Sequence, residues 1–459
     1  MKQGYHIPLI CQNHQWGWLL PPYQERQERK CYNHTMEKRK IFTYLTLGLI
    51  FLTILVLVTP LRDKLAWRVE ALRVRLQYMF NPPEEAVFVP QEGNQPTLPP
   101  TSTPEAAVTP PQAVFTATPA MTPTPLPDRV ELKGVRYFDQ HGLWNYCAPA
   151  NLAMALSFWG WTGDRTDVGP VVKPFEKDKN VMLYELADYV RDHTDLKVAE
   201  RSGGTLELLK SLIASGFPVL IEKGTYIRET TTGKVSWMGH YNVITGYDEA
   251  ERIFIVQDSY YTPDYKIQYA TLQNEWRGFN YIFLVVYPAE QEQKLMAVLG
   301  DYADEQKSNQ IAADIASQEI YTLSDADQFF AWFNRGTSLV SLQDYFGAAE
   351  AYDEAFKLNI SLDKDTRPWR ITWYQTGPYY AYYYSGRYQD VVNLTTNTLN
   401  SAAEPYLEEN YVWRARANIV LGKTGDAVTD LCQSLEYHPD FAPSVEALQS
   451  LGVAECPTK

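Results

Sequence analysis

The chain has 459 residues, which is too long for one compact domain, so two or three domains are expected. Its formal net charge of −14 argues against nucleic acid as a partner, because phosphate binding needs a basic surface. The five cysteines include no C-x-x-C pair, which argues against a disulfide framework or a zinc knuckle. One bridge, between Cys432 and Cys456, is compatible with a position outside the cell.

The N-terminal part of the chain has the pattern of a membrane anchor followed by a stalk. Residues 41–59 are apolar and uncharged, and at 1.5 Å per residue such a helix is roughly 28 Å long, about the thickness of a bilayer core. No A-x-A site follows closely, so a transmembrane helix is favoured over a cleaved signal peptide. Residues 60–90 have the pattern of a juxtamembrane amphipathic segment, and residues 91–128 are rich in Pro and Thr, which predicts an extended stalk. We therefore expect a single-pass protein of the cell membrane, with residues 1–40 in the cytoplasm and the C-terminal domains extracytoplasmic.

Residues 129–290 show short helical patterns followed by strand patterns. An apolar run, NLAMALSFWGW, and an amphipathic run, TLELLKSLIASG, precede the β-rich runs FPVLIEK, HYNVITGYD, RIFIVQD and NYIFLVVYP. Helices that come first and strands that come afterwards are typical of an α+β domain with an antiparallel sheet. That is the fold class predicted for this part of the chain.

The strand signal is absent from residues 325–459, and residues 291–324 have the pattern of a connecting helical segment. Three stretches place aromatic and small residues at the spacing of helix–turn–helix units, with glycines such as Gly386 and Gly422 at the turns. The pattern resembles tetratricopeptide repeats, whose stacked helices bind proteins on a concave face. An all-α domain that binds a protein partner is predicted, and a generic helical bundle is the alternative.

Cys147 stands directly before the apolar helical run, in the phrase YFDQHGLWNYCAPANLAMALSFWGW. The thiol is therefore expected at a helix N-terminus, where backbone N–H groups and the helix dipole favour a thiolate. Pro149 suits the first turn of that helix, where a missing N–H has no consequence. Gln140 precedes the cysteine by a few residues and offers an amide that can donate to an oxyanion together with the backbone N–H of Cys147.

Two later phrases supply the remaining parts of a nucleophilic site. GHYNVITGYD places His240 at the opening of a strand, and FIVQDSY ends the next strand in Asp258, whose carboxylate is expected to accept the His240 Nδ1–H. His141 and His193 compete for the role of base. His141 lies too close to Cys147 in sequence to come from the opposite side of a cleft, and His193 follows a helix as a C-terminal cap, so His240 is favoured.

The order Gln140, Cys147, His240, Asp258, in the phrases CAPANLAMAL, GHYNVITGYD and VQDSY, resembles the papain-like cysteine peptidases. Within them it is most similar to cysteine peptidase family 39, the bacteriocin-processing type. The resemblance covers roughly residues 130–288 and implies a helical half with the cysteine, a β-rich half with the histidine and aspartate, and peptide hydrolysis through a thioester.

Two positions depart from the family pattern. Ala148 stands where the family has glycine, and the amide lies seven residues before the cysteine instead of six. A one-residue bulge before Cys147 can absorb the second difference, or Asn145 can take the place of Gln140 as the donor. No transporter domain and no Walker-type glycine loop occur in the chain, so removal of a leader peptide is not indicated as the reaction.

A cysteine peptidase acting on peptides or proteins is the predicted function, with Cys147, His240, Asp258 and Gln140 as catalytic residues. No cofactor and no metal are predicted, because no two histidines lie at helical spacing and no H-E-x-x-H occurs. Two alternatives remain. One is a catalytically inactive peptidase-like protein that binds peptides or proteins through its helical repeats. The other is amide transfer to an amine at the same residues.

Overall fold

The computed structural model describes most of the chain from residue 125 onwards and short stretches before it. The described residues are 40, 42–48, 68–70, 72–73, 75–76, 79–80, 87–91, 125–228 and 235–457. The chain divides into two compact units, residues 1–70 and residues 71–459.

The structure corrects the predicted transmembrane helix. No helix among the described residues is long and apolar enough to cross a membrane. The described helical stretch 42–48 is about 10 Å long at 1.5 Å per residue, against about 30 Å for a bilayer core. Residue 41 and residues 49–59 of the predicted span lie outside the described residues. So do nearly all of the predicted cytoplasmic segment and of the Pro/Thr-rich stalk.

An antiparallel sheet forms the centre of residues 125–290. It has seven strands in the order β2-β7-β3-β4-β5-β6, and β1 pairs with β4. Every pairing in it is antiparallel. The strands are β1 (Arg129–Glu131), β2 (Lys197–Arg201), β3 (Val219–Arg228), β4 (Val235–Asp248), β5 (Ile253–Gln257), β6 (Tyr265–Gln268) and β7 (Phe283–Tyr287).

Helices cover both faces of this sheet. The first layer consists of α1 (Cys147–Phe158), α2 (Arg165–Val172) and α3 (Leu183–His193), and the second of α4 (Leu206–Ala214), α5 (Tyr269–Arg277) and α6 (Glu292–Leu299). Side chains alternate along β3, because successive residues of a strand point to opposite faces. Val219 and Ile221 therefore join the core under α4–α6, and Leu220 joins the core under α1–α3. The predicted combination of helices with an antiparallel sheet is confirmed.

The described residues that follow the sheet are mainly helical, as predicted. The helices of this part are α7 (Glu305–Thr322), α8 (Asp325–Ser341), α9 (Tyr345–Ser361), α10 (Ile371–Tyr374), α11 (Gly377–Tyr384), α12 (Tyr388–Asn400), α13 (Glu408–Val420), α14 (Thr424–Tyr437) and α15 (Ala442–Ser450). Gly386 and Gly422 have positive φ and join the pairs α11–α12 and α13–α14, where a residue with a Cβ would be strained. The assignment of these helices to tetratricopeptide repeats stays a prediction.

Two further features bear on the predicted organisation of the chain. Cys432 and Cys456 form a disulfide near the C-terminus. Phe88, from the segment predicted to be juxtamembrane, is 6% exposed, and its ring centroid lies 5.0 Å from that of Phe356 in α9. Residues 87–91 thus pack against the helical part of their own unit.

Candidate active site

Cys147 is the first residue of α1, as predicted. Tyr146 caps the helix without a side-chain hydrogen bond, so the first N–H groups of the helix stay available to a ligand. The helix N-terminus is a setting that favours anions. The thiol is half-buried and is not part of a disulfide. The position thus combines access with the main-chain N–H groups of Cys147 and Ala148.

His240 and Asp258 meet because β4 and β5 are antiparallel neighbours. Val243 lies opposite Gln257, which brings the next residue, Asp258, towards the part of β4 that carries His240. His240 Nε2 lies 2.9 Å from Asp258 Oδ1, and the two side chains are 2% and 0% exposed. β4 begins at Val235, so His240 lies within the strand and not at its opening.

The contact uses the other ring nitrogen from the one predicted. Sequence carries no information on the rotation of the imidazole, and the structure places Nε2, not Nδ1, against the carboxylate of Asp258. Nδ1 is therefore the ring nitrogen left to exchange a proton with Cys147, whose charge acts on His240. The carboxylate of Asp258 thus holds the imidazole through Nε2 and leaves Nδ1 to other partners.

The charges of this pair support each other. Burial lowers the pKa of His240, but the charge and hydrogen bond of Asp258, and to a smaller extent Cys147, raise it to about 9. Burial works against ionisation of Asp258 as well, yet the charge and hydrogen bond of His240 hold the pKa of that carboxyl well below its usual range. At neutral pH the histidine is accordingly an imidazolium beside a carboxylate.

Main-chain donors fix the carboxylate of Asp258. Oδ1 accepts the N–H of Tyr260 at 2.9 Å and that of Tyr261 at 3.1 Å, in addition to His240 Nε2. A carboxylate with three donors on one oxygen has little freedom to rotate. Asp258 therefore determines the orientation of the His240 ring.

Gln140 reaches the site through a chain of hydrogen bonds. Asn151 Nδ2 donates to the carbonyl oxygen of Cys147 and to Ser259 Oγ, each at 2.9 Å. Ser259 Oγ donates to Gln140 Oε1 at 2.8 Å, and the Gln140 N–H donates to the carbonyl of Ser259 at 2.9 Å. Because Oε1 is engaged as the acceptor, Nε2 is the end of the Gln140 amide that is left to donate to an oxyanion.

Sequence reasoning missed Asn151 and Ser259. Both are 0% exposed, and both lie inside the phrases that carry the resemblance. The signal was present in one of them: Asn151 is a polar residue in an otherwise apolar helical run. A buried amide needs partners, so its position predicts a polar contact, although not with which residue.

Comparison with known proteins supports this reading. Residues 132–282 match the sequence profile of the Peptidase_C39 like family. This stretch is a Peptidase_C39-like domain. All four predicted site residues lie within it, and the match leaves the helical part of the chain uncovered. A crystal structure described as that of a C39-like peptidase from Bacillus anthracis is similar over 34% of this chain and 96% of that chain, at 18% identity and a TM-score of 0.28. No curated protein matches the chain.

The two departures from the family pattern have local explanations in the C39-like domain. Ala148 is 1% exposed and its methyl group packs in the core under α1–α3. The loop between Gln140 and Cys147 turns twice through positive φ, at Gly142 and Asn145, and so accommodates its length. Asn145, the alternative oxyanion donor, donates its side-chain N–H to the carbonyl oxygen of Asp178. Its amide is therefore already engaged in a hydrogen bond.

The two competing histidines have other partners. His141 is exposed, and its Nδ1 lies 2.6 Å from Asp139 Oδ1. His193 ends α3 and stacks on Tyr189, with ring centroids 5.0 Å apart. His240 is the histidine that the C39-like domain brings to Cys147.

The helical part of the chain packs beside His240. Trp237 stacks on Phe279 of the C39-like domain and on Phe330 of α8, with both centroid distances 5.6 Å. Tyr374 of α10 packs against Gly239, where a Cβ would come within 2.9 Å of its ring. The residue before His240 therefore has to be glycine for the two parts to approach this closely.

Proposed function

We propose that the C39-like domain is a cysteine peptidase with Cys147 as the nucleophile and His240 as the general base and acid. Asp258 orients His240, and Gln140 donates to the oxyanion. The observation that carries the proposal is the buried His240–Asp258 pair next to a half-buried thiol at a helix N-terminus. Such a set of nucleophile, base and orienting group is what acyl transfer through sulfur needs.

Each proposed step uses one of these groups. His240 holds the proton that the Cys147 thiol gives up, and the sulfur attacks the carbonyl carbon of a peptide bond. The negative charge that develops on the carbonyl oxygen is stabilised by the Cys147 N–H and Gln140 Nε2. When the C–N bond breaks, Nδ1 of His240 protonates the leaving amine and a thioester remains. Water then attacks the thioester, His240 takes its proton, and a carboxylic acid leaves as the thiol is restored.

One observation favours the alternative of an inactive binding domain. His240 is 2% exposed, and Tyr374 of the helical part lies against the neighbouring Gly239. The imidazole is thus closed off from solvent. A domain closed in this way can have lost turnover while it keeps the polar core of the site.

Two reagents that react with the same thiol separate these functions. Iodoacetamide alkylates sulfur by displacement and forms no oxyanion, whereas p-nitrophenyl acetate acylates sulfur through a tetrahedral oxyanion. With the full chain, we expect both to modify Cys147, located by mass spectrometry, and Cys147→Ala to abolish that modification. Gln140→Ala should slow acylation by about 100-fold, the usual effect of removing one oxyanion donor, and leave alkylation within about threefold.

The matched control is Gln310→Ala, which removes an exposed glutamine in α7 and should change neither rate. If Gln140→Ala leaves acylation as fast as in the wild type, Gln140 is not an oxyanion donor. If Cys147 is alkylated but never acylated, or the acyl group is never released, the inactive binding domain is the better description.

Hydrolysis and amide transfer share all steps up to the thioester. Turnover of p-nitrophenyl acetate in the presence of a primary amine separates them, because transfer forms the acetamide and hydrolysis forms acetate. We propose hydrolysis, supported by the match to a peptidase family. Acetamide as the main product at millimolar amine would reverse that assignment.

We also propose that the helical part resides in an oxidising compartment. The support is the Cys432–Cys456 disulfide, since such bridges persist outside the reducing cytosol. Acid quenching and alkylation of the protein in its native cells should leave Cys432 and Cys456 unmodified. Alkylation of both residues under these conditions would contradict the proposal.

A further inference from the structure

A buried group of ionisable side chains joins the C39-like domain to the helical part. Glu185 lies in α3, Glu408 is the first residue of α13, and His438 follows α14. Each offers one potential metal-ligand atom, and these atoms lie within 4.8 Å of one another. His438 Nδ1 is 3.0 Å from Glu408 Oε1. At these distances one ion can contact all three side chains.

A fourth side chain, Glu409, points independently to a ligand. It is 8% exposed, and its Oε2 has no hydrogen-bond partner among the described residues. Glu409 follows Glu408 in the first turn of α13. A bound cation would stabilise a buried carboxylate oxygen that has no hydrogen-bond partner.

The cations nearby do not fill that role. Asp178 adds another buried carboxyl group at 4% exposure, and the ammonium groups of Lys173 and Lys179 interact with it. Lys179 Nζ lies over the ring of Tyr406, 5.4 Å from its centroid. Lys173 Nζ donates to main-chain carbonyl oxygens, including that of Trp144 at 3.0 Å. The N-terminus of α13 favours the negative charge of its own first residues, but Glu185 belongs to another helix. The carboxylates thus outnumber the charges that compensate them.

We propose that Glu185, Glu408 and His438, with Glu409 beside them, bind one divalent transition-metal ion of the Zn²⁺ or Mn²⁺ class. Two or three carboxylates with one imidazole and no thiolate suit these ions. The ion links α3 of the C39-like domain to α13 and α14 of the helical part. Its role is structural, and it does not depend on whether Cys147 is catalytically active.

The test uses the full chain, freed of metal with a chelator and titrated with ZnCl₂ by calorimetry. We expect one high-affinity Zn²⁺ per chain and a midpoint of thermal unfolding that rises with Zn²⁺ concentration. Glu408→Gln and His438→Ala should each weaken binding by about 100-fold or more and remove the rise in the midpoint. Glu446→Gln and His193→Ala, which replace an exposed glutamate and a histidine at the end of α3, should leave both unchanged.

Several results overturn the proposal. The first is that the wild-type chain binds neither Zn²⁺ nor Mn²⁺, and the second is that it binds Ca²⁺ in preference to both. The third is that the wild type and the ligand variants bind the metal with equal affinity. If a variant does not fold, X-ray absorption at the zinc edge of the wild-type protein decides the matter by itself. It must show oxygen ligands together with one imidazole. A shell without imidazole excludes His438 and with it the site.

Discussion

Replacing Asp258 with asparagine tests the electrostatics of the candidate site most directly. The substitution keeps the size and shape of the side chain and leaves an oxygen that can still accept from the N–H groups of Tyr260 and Tyr261. It removes the negative charge that faces His240 Nε2 at 2.9 Å. Burial then acts on the imidazole without opposition from Asp258, and the pKa of His240 should fall below 6.5.

The size of the effect follows from the pKa of His240, which the site raises from 6.5 to about 9. At 1.36 kcal/mol per pKa unit, this difference corresponds to about 3 kcal/mol of stabilisation of the imidazolium, or a factor of about 300. Cys147 contributes a smaller part, and that part survives the substitution. The equilibrium constant for proton transfer from Cys147 to His240 should therefore fall by about 300-fold or more.

The assay is the rate of Cys147 alkylation by iodoacetamide between pH 5.5 and about 10, with the modified peptide identified by mass spectrometry. Asp258→Asn should react slowly at pH 6.5 and approach the wild-type rate only at the alkaline end. Asp188→Asn, which removes an exposed carboxylate of α3, is the matched control and should behave as the wild type. A rate for Asp258→Asn within threefold of the wild type at pH 6.5 would show that Asp258 does not support the charged pair.

The same pair predicts how stability depends on pH. A histidine whose pKa is raised on folding contributes stability that is complete below about pH 6.5 and is lost as the pH rises through about 9. The difference in unfolding free energy between the wild type and Asp258→Asn should thus shrink by about 3 kcal/mol across this window in urea denaturation. A difference that stays constant from pH 6 to about 10 would contradict this origin of the stabilisation.

Three more substitutions have defined outcomes. Ser259→Ala should slow acylation by p-nitrophenyl acetate by about tenfold without slowing alkylation, because Gln140 loses the donor that orients its amide. Ser259→Thr should restore the acylation rate. An equal loss of rate with both reagents would contradict this role of Ser259. Trp237→Ala should lower the free energy of unfolding by about 3 to 5 kcal/mol in urea, as expected for a buried stacked ring, and a loss below about 1 kcal/mol would refute its importance. Replacing Cys432 and Cys456 with serine should cost about 3.5 kcal/mol by the chain-entropy relation for a sequence separation of 24. An unchanged thermal midpoint would contradict this expectation.

Local features of the sequence were sufficient for much of the site. Cys147 could be placed at a helix N-terminus because a run of helix-forming apolar residues follows it, and Asp258 could be placed at a strand end because the β-rich run stops there. His240 and Asp258 come from consecutive strands, which are usually neighbours in a sheet. The contact between His240 and Asp258 could therefore be predicted from the sequence. Which ring nitrogen of His240 makes that contact could not be predicted.

The contacts that escaped prediction join residues from distant parts of the chain. Ser259 accepts a hydrogen bond from Asn151, and Glu185 lies near Glu408. No sequence periodicity relates the two residues of either pair. The hydropathy pattern of residues 41–59 predicted a membrane helix, and composition by itself cannot show how far a helix extends. Patterns of one segment report its own conformation, whereas pairings across the chain depend on tertiary packing.

The packing around His240 gives the helical part a direct influence on the chemistry. The attraction between Asp258 and the imidazolium is strong because water is excluded, and in solvent the same pair would contribute far less. Part of that exclusion comes from outside the C39-like domain, since Tyr374 packs against Gly239 and Trp237 stacks on Phe330. A movement of the helices away from Trp237 would admit water to the His240–Asp258 pair and bring the pKa of His240 back towards 6.5. The helical part thus acts on the charge of His240 without supplying a side chain of the candidate site.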